Sequence, residues 1–147
     1  MTTQMAPKQV YWGDVQEGQE IPVLHKRPTP QQLVQFAAGS GDFNPIHYDQ
    51  DHARSTGLNG IIVHGALKHG FLGEMLHEWV RPHGRVKRFT VSYRGMDIPG
   101  KEIRCHGRIT RKYEANGEGL IDLEIWTENE EGQKTTPGTA TVVLQKR

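Results

Sequence analysis

Strict alternation of apolar and polar residues runs through the second half of this sequence, and it demands a sheet buried on one face. Phe89, Val91 and Tyr93 alternate with Arg88, Thr90, Ser92 and Arg94. Ile103, Cys105 and Ile109 share one parity; Arg104, His106 and Arg108 share the other. Ile121, Leu123 and Ile125 alternate with Asp122 and Glu124, and Thr139 to Leu144 is a further β-rich run. A period of two with a single apolar side belongs to antiparallel strands. Pro99-Gly100, Asn116-Gly117 and Glu131-Gly132 supply turns between the runs.

The first half reads as helices. Thr29 can cap, Pro30 suits the first helical position, and Gln32 stands where a capping box wants Glu or Gln. This helix carries Leu33, Val34, Phe36 and Ala37 and is expected to stop near Gly39. Before it, Val10 to Val23 reads as short extended pieces around turns. Asp49 looks like the cap of a short helix ending near Gly57. A longer helix is expected from about His64 to Val80, with Leu67, Phe71, Leu72, Met75, Leu76 and Trp79 forming one apolar face. Arg81 and Pro82 end it. Helices first and then a meander of strands give an α+β domain whose sheet wraps one long helix.

A chain of 147 residues fits one domain, 1–147, with residues 1–8 as a loose tail. The formal net charge is +1 and the basic residues are spread out, although Arg85, Lys87 and Arg88 lie close together. A nucleic-acid partner, which calls for a basic stripe, is therefore not expected. The single cysteine, Cys105, allows no internal disulfide and is compatible with a reducing cytoplasm. The polar start lacks a signal-peptide core, and no apolar run approaches the ~20 residues of a membrane span. The expectation is a soluble cytoplasmic protein with no membrane partner.

The densest polar cluster is Asp42, Asn44, His47, Asp49, Asp51 and His52, on a loop punctuated by Gly39, Gly41 and Pro45. Asp42 and His47 can converge and supply a general base and a general acid. Asp and Asn beside Gly and Pro are also ordinary turn formers. A metal site could draw on His47, Asp49, Asp51, His52 and His64, but no His-x-x-x-His or Cys-x-x-Cys pair is present and the calcium-loop glycine is missing. No metal is expected. A second place is Val63-His64-Gly65-Ala66, where a glycine opens the long helix. The first N–H groups of a helix lack internal partners and could meet a carbonyl oxygen, with Gly65 allowing close approach; Gly65 could equally be only a tight turn.

Taken together, FAAGSGDFNPIHYDQDHA, from Phe36 to Ala53, resembles the signature of the MaoC-like, (R)-specific enoyl-CoA hydratases. IVHGALKHGFL is similar to the next block of that family, and GRVKRFTVSYRGMDIPG to members acting as acyl dehydratases in lipid and steroid catabolism. The resemblance implies a hotdog fold, an antiparallel sheet curled around the long helix. It implies hydration of a trans-2-enoyl-CoA to the (3R)-3-hydroxyacyl-CoA, and the reverse. Asp42 and His47 match the catalytic pair, Asp42 as the base and His47 as the proton donor. Gly65 matches the glycine whose N–H binds the thioester oxygen. Asn44, which shapes the loop, and His64 are placed with it on the substrate-binding side. No cofactor is implied, since CoA belongs to the substrate. The implied partner is a second copy, as a homodimer or dimer of dimers, with acyl-CoA near the interface. An acyl-carrier-protein substrate, or a place in a hetero-oligomeric acyl-CoA hydratase, is the alternative. Lys68 and His69 are unusual for a buried helix, and Gly73 replaces a hydroxyl residue of some relatives; these departures bear on acyl-chain preference.

Overall fold

The computed structural model describes residues 8–147. Most of the expected loose tail lies outside the described residues. Helix α1 spans Pro30–Ser40, capped by Thr29, whose hydroxyl accepts from the Gln32 N–H at 3.2 Å. The reciprocal bond that would complete a capping box is not made among the described residues. The helix ends later than expected. Gly41, not Gly39, takes the left-handed conformation (φ +78°), and its N–H closes on the Ala37 carbonyl at 2.9 Å. That conformation suits a residue without Cβ. Helix α2, Gln50–Ser55, is capped by Asp49, whose carboxylate accepts from the His52 N–H at 3.0 Å.

Helix α3, Gly65–Val80, is the central element. Leu67, Phe71, Leu72, Met75, Leu76 and Val80 are buried, but so are Lys68 and Gly73, while Trp79 is only half-buried. The expected single apolar face is thus too narrow a description: most of the helix circumference is enclosed. Gly73 is small because Phe89 lies against it; a Cβ there would sit 3.2 Å from the ring.

Five antiparallel strands surround this helix: β1 (Leu24–Lys26), β2 (Arg85–Val91), β3 (Ile103–Ala115), β4 (Glu118–Glu128) and β5 (Lys134–Leu144), in the order β1-β3-β4-β5-β2. Ile103, Cys105 and Ile109, then Ile121, Leu123 and Ile125, then Ala140, Val142 and Leu144 face the core, as their alternation requires. The β3–β4 hairpin turns at Asn116 (φ +51°) and Gly117 (φ +76°), the paired positive values of a primed turn that matches strand twist.

Two strands depart from a simple meander. β1 is three residues long, too short to show a period, and pairs His25 with Arg104. β2 pairs with β5 on the far edge rather than with its successor β3. The chain must therefore cross from one side of the sheet to the other through residues 92–102. Tyr93 belongs to that crossing, outside the strand in which alternation placed it, and is exposed. The outward face of the sheet is not bare either. Trp126 is 4% exposed, with the His106 ring stacked on it and the Lys134 ammonium 4.1 Å from its centroid. Among the described residues no helix is long and apolar enough to cross a membrane.

Candidate active site

The segment between α1 and α2 is shaped by short-range bonds from its own polar side chains. The Asp42 N–H donates to the Ser40 hydroxyl at 3.2 Å, and the Ile46 N–H donates to the Asn44 side-chain oxygen at 3.2 Å. With Pro45 setting the next φ, Asn44 starts a 3-10 turn, Pro45–His47. That turn drives His47 inward: it is 6% exposed, whereas Asp42 stays on the surface.

The two residues meet across a gap. His47 Nε2 lies 3.8 Å from Asp42 Oδ2, wider than a hydrogen bond and open to a bridging water or hydroxyl. His47 Nδ1 lies 2.8 Å from the Ile62 carbonyl oxygen. A carbonyl only accepts, so Nδ1 carries hydrogen and Nε2 faces Asp42. In neutral His47, Nε2 is therefore a base; it donates only as imidazolium.

His64 does not reach the cavity wall. It is 0% exposed and lies behind His47, the two rings stacked at 3.7 Å between centroids. Its Nε2–H donates to the Asp42 backbone carbonyl at 3.2 Å, and Phe36 meets its other side edge-on at 4.9 Å between centroids. The substrate contact expected of His64 is thereby replaced by a buttress: one ring supports both the Asp42 backbone and the His47 imidazole. Burial, and then the neighbouring His47, hold the His64 pKa below the usual 6.5. Asn44 likewise spends its side-chain oxygen on the loop.

Gly65 is the first residue of α3, and among the described residues no side chain caps that end. The orphan N–H groups and positive dipole end of the helix point out beside His47. The absence of a side chain at Gly65 is required by Tyr93: a Cβ would lie 2.7 Å from its ring. A cavity of about 300 Å³ is lined by His47, Ile62, Val63, Gly65, Lys68, Tyr93, Arg94, Gly95 and Met96.

Several of these residues were not legible from the sequence. The Ile62 contribution is a backbone carbonyl, which no side-chain motif reveals. Arg94 and Met96 come from the crossing segment and carry no local signal. Lys68 had one: a charge within a helix otherwise destined for burial. Of the metal candidates, the fold gathers His47 and His64, together with Asp42, which was not among them; one ligand-type atom from each lies within 4.8 Å of the others. Asp49 and His52 are instead joined in the α2 cap.

The model of the MaoC like domain matches residues 4–141. This chain belongs to the MaoC-like family. A solved structure described as an (R)-hydratase from A. caviae involved in PHA biosynthesis superposes with a TM-score of 0.79 at 25% identity, covering 88% of this chain and 97% of that one. The hotdog architecture follows, with the sheet curled round α3. The (R)-specific enoyl-CoA hydratase of Rhodospirillum rubrum is 36% identical over 66 residues, 45% of this MaoC-like chain and 45% of that protein. The fatty acid synthase beta subunit TOXC of Cochliobolus carbonum is 30% identical over 118 residues, 77% of this chain but 5% of that protein. The chain thus spans a small part of the fatty acid synthase subunits it matches.

Proposed function

We propose that this chain adds water across the 2,3 double bond of a trans-2-enoyl-CoA to give the (3R)-3-hydroxyacyl-CoA, and catalyses the reverse dehydration. The observation that carries this reading is the 3.8 Å gap between Asp42 and His47 Nε2, beside the uncapped start of α3 at Gly65. C3 of a conjugated thioester is electrophilic because charge can move to the carbonyl oxygen. A water in the gap gives a proton to Asp42 and its hydroxide to C3. His47 Nε2–H, as imidazolium, gives a proton to C2. The proton on Asp42 then returns to His47 across the gap, so the cycle closes. The Gly65 N–H and the helix dipole stabilise the enolate-like oxygen, an effect typically worth a few kcal/mol. Substrate covering the exposed Asp42 excludes bulk water from it. No resident cofactor enters this chemistry.

A panel of trans-2-enoyl-CoAs, followed by loss of the conjugated thioester absorbance, tests the reading. Asp42→Asn and His47→Gln should each lower kcat by about 10²- to 10⁴-fold with the fold intact. The double change should cost much less than the product, because both groups act in one transition state. Near-normal turnover by either folded variant would refute the assignment. The match to TOXC supports a second reading, in which the same site takes its acyl group from a carrier protein; turnover of the carrier-linked substrate with little turnover of the CoA ester would select it. A cytoplasmic setting is in keeping with the free, buried Cys105.

A further inference from the structure

The cavity wall beyond Gly65 includes a lysine, paired behind the wall with a buried aspartate, that neither the acid–base dyad nor the core explains. Lys68 follows Gly65 by three residues, so it lies on the same face of α3, one turn on. It is 1% exposed and shares the cavity lining with His47 and Gly65. Its ammonium donates to the Gly95 carbonyl and to Asp97 Oδ2, both at 2.8 Å. Asp97 is 3% exposed, and its other oxygen, Oδ1, has no partner among the described residues.

An ammonium has three N–H donors, and Lys68 uses two of them among the described residues. The fold itself does not demand the pair. Desolvation offsets much of the attraction between buried ions, and an apolar pair of similar volume is often as stable or more so. Gly95 is already tied to β5 by its N–H, which donates to the Thr135 carbonyl at 2.9 Å. A buried cation with an unused donor, on the wall of a cavity that already holds an acid–base pair, points to a ligand atom.

We propose that Lys68, held by Asp97, donates its third N–H to an oxygen on the acyl group, so that the site prefers oxygen-bearing thioesters to plain alkyl ones of equal length. This rests on the part of the reading above in which the site binds an acyl thioester, and not on the hydration step. The oxygen is a neutral one: a carbonyl, ether or hydroxyl. Asp97 already balances the Lys68 charge, and a substrate carboxylate would meet the Asp97 charge as well. An alkyl chain against Lys68 would leave the buried donor unpaired, which is how hydrogen-bonding sites reject analogues lacking the polar group.

Calorimetric binding of saturated, unreactive acyl-CoAs tests this without requiring turnover. The compounds are matched pairs of equal length, in which one methylene from C4 onward is replaced by a carbonyl or ether oxygen. At one position the oxygenated member should bind the wild-type protein about tenfold or more tightly than its alkyl twin, the range of a hydrogen bond to a charged group. The double variant Lys68→Met/Asp97→Leu, an apolar pair, should bring the twins to equal affinity. Equal affinity at every position for the wild-type protein overturns the proposal, and that comparison stands whether or not the variant folds. A variant that weakens both twins by one common factor also overturns it, since the pair would then only hold the crossing segment. Binding with the predicted preference but without hydration of the enoyl forms would sink the hydratase reading and leave this one standing. No binding of any acyl-CoA would sink both.

Discussion

At the scale of single residues, the site depends on which proton sits where. The Ile62 carbonyl holds the Nδ1–H of His47, so donation to C2 needs the imidazolium form. His64 acts on stability. Its pKa is held below 6.5 in the folded protein, chiefly by burial, and burial lowers that of His106 too. Between the folded and unfolded values the unfolded chain binds more protons. The stabilisation is complete above about pH 6.5, is lost as pH falls below it, and levels off under the folded value. The urea midpoint should fall between about pH 7 and about pH 5, and less steeply in a folded His64→Asn variant; a midpoint that rose on acidification would contradict this. Burial also pushes the Cys105 thiol up to about 12, so it should resist thiol reagents until the protein unfolds.

At the scale of elements, glycines mark two demands of different kinds. Gly41 ends α1 at φ +78° with open space around it, so Gly41→Ala should destabilise by about 1 kcal/mol through backbone strain alone. Gly65 has no such φ, but a methyl there would meet the Tyr93 ring at 2.7 Å. Gly65→Ala should displace Tyr93 and cost more free energy in kcat/KM, as RT ln of the ratio, than in unfolding stability by chemical denaturation; the opposite ranking would make Gly65 a packing residue only. Asp49→Asn removes a charge from the α2 cap and keeps its acceptor, so it should cost about 1 kcal/mol or less and leave turnover near normal. Leu72→Ala, at a fully buried site on α3, should cost about 2–5 kcal/mol by chemical denaturation.

At the scale of the whole molecule, both sheet edges lack a neighbouring strand among the described residues, and β2 is an edge of seven residues. Unpaired edges of that length invite a strand from another chain. A homodimer or a dimer of dimers is the expected native mass; a fully active monomer would refute it. The Asp42, His47 and His64 group raises the question of a metal, but His47 Nδ1 and His64 Nε2 are engaged with backbone carbonyls. Turnover should survive exhaustive chelation. Loss that one divalent ion restores would assign a metal to this group.

Local patterns were enough for the elements that obey a period or a cap. The alternation of Ile121, Leu123 and Ile125 required β4, and Thr29 and Asp49 marked their helices because cap chemistry is confined to a few neighbouring residues. Asp42 and His47 stood out as a polar cluster on a punctuated loop, but only the family resemblance singled them out as a pair, and the Ile62 carbonyl that orients His47 lies outside any local pattern. What lay beyond was the set of contacts between residues distant in the chain. β1 is too short to show a period, and the partner of β2 is β5, a strand distant in the chain, which no local pattern names. His64 became a buttress, Tyr93 came to cover Gly65, and Lys68 found Asp97, each through long-range packing that carries no short-range signal. A sequence states which groups can act; only packing decides which of them touch.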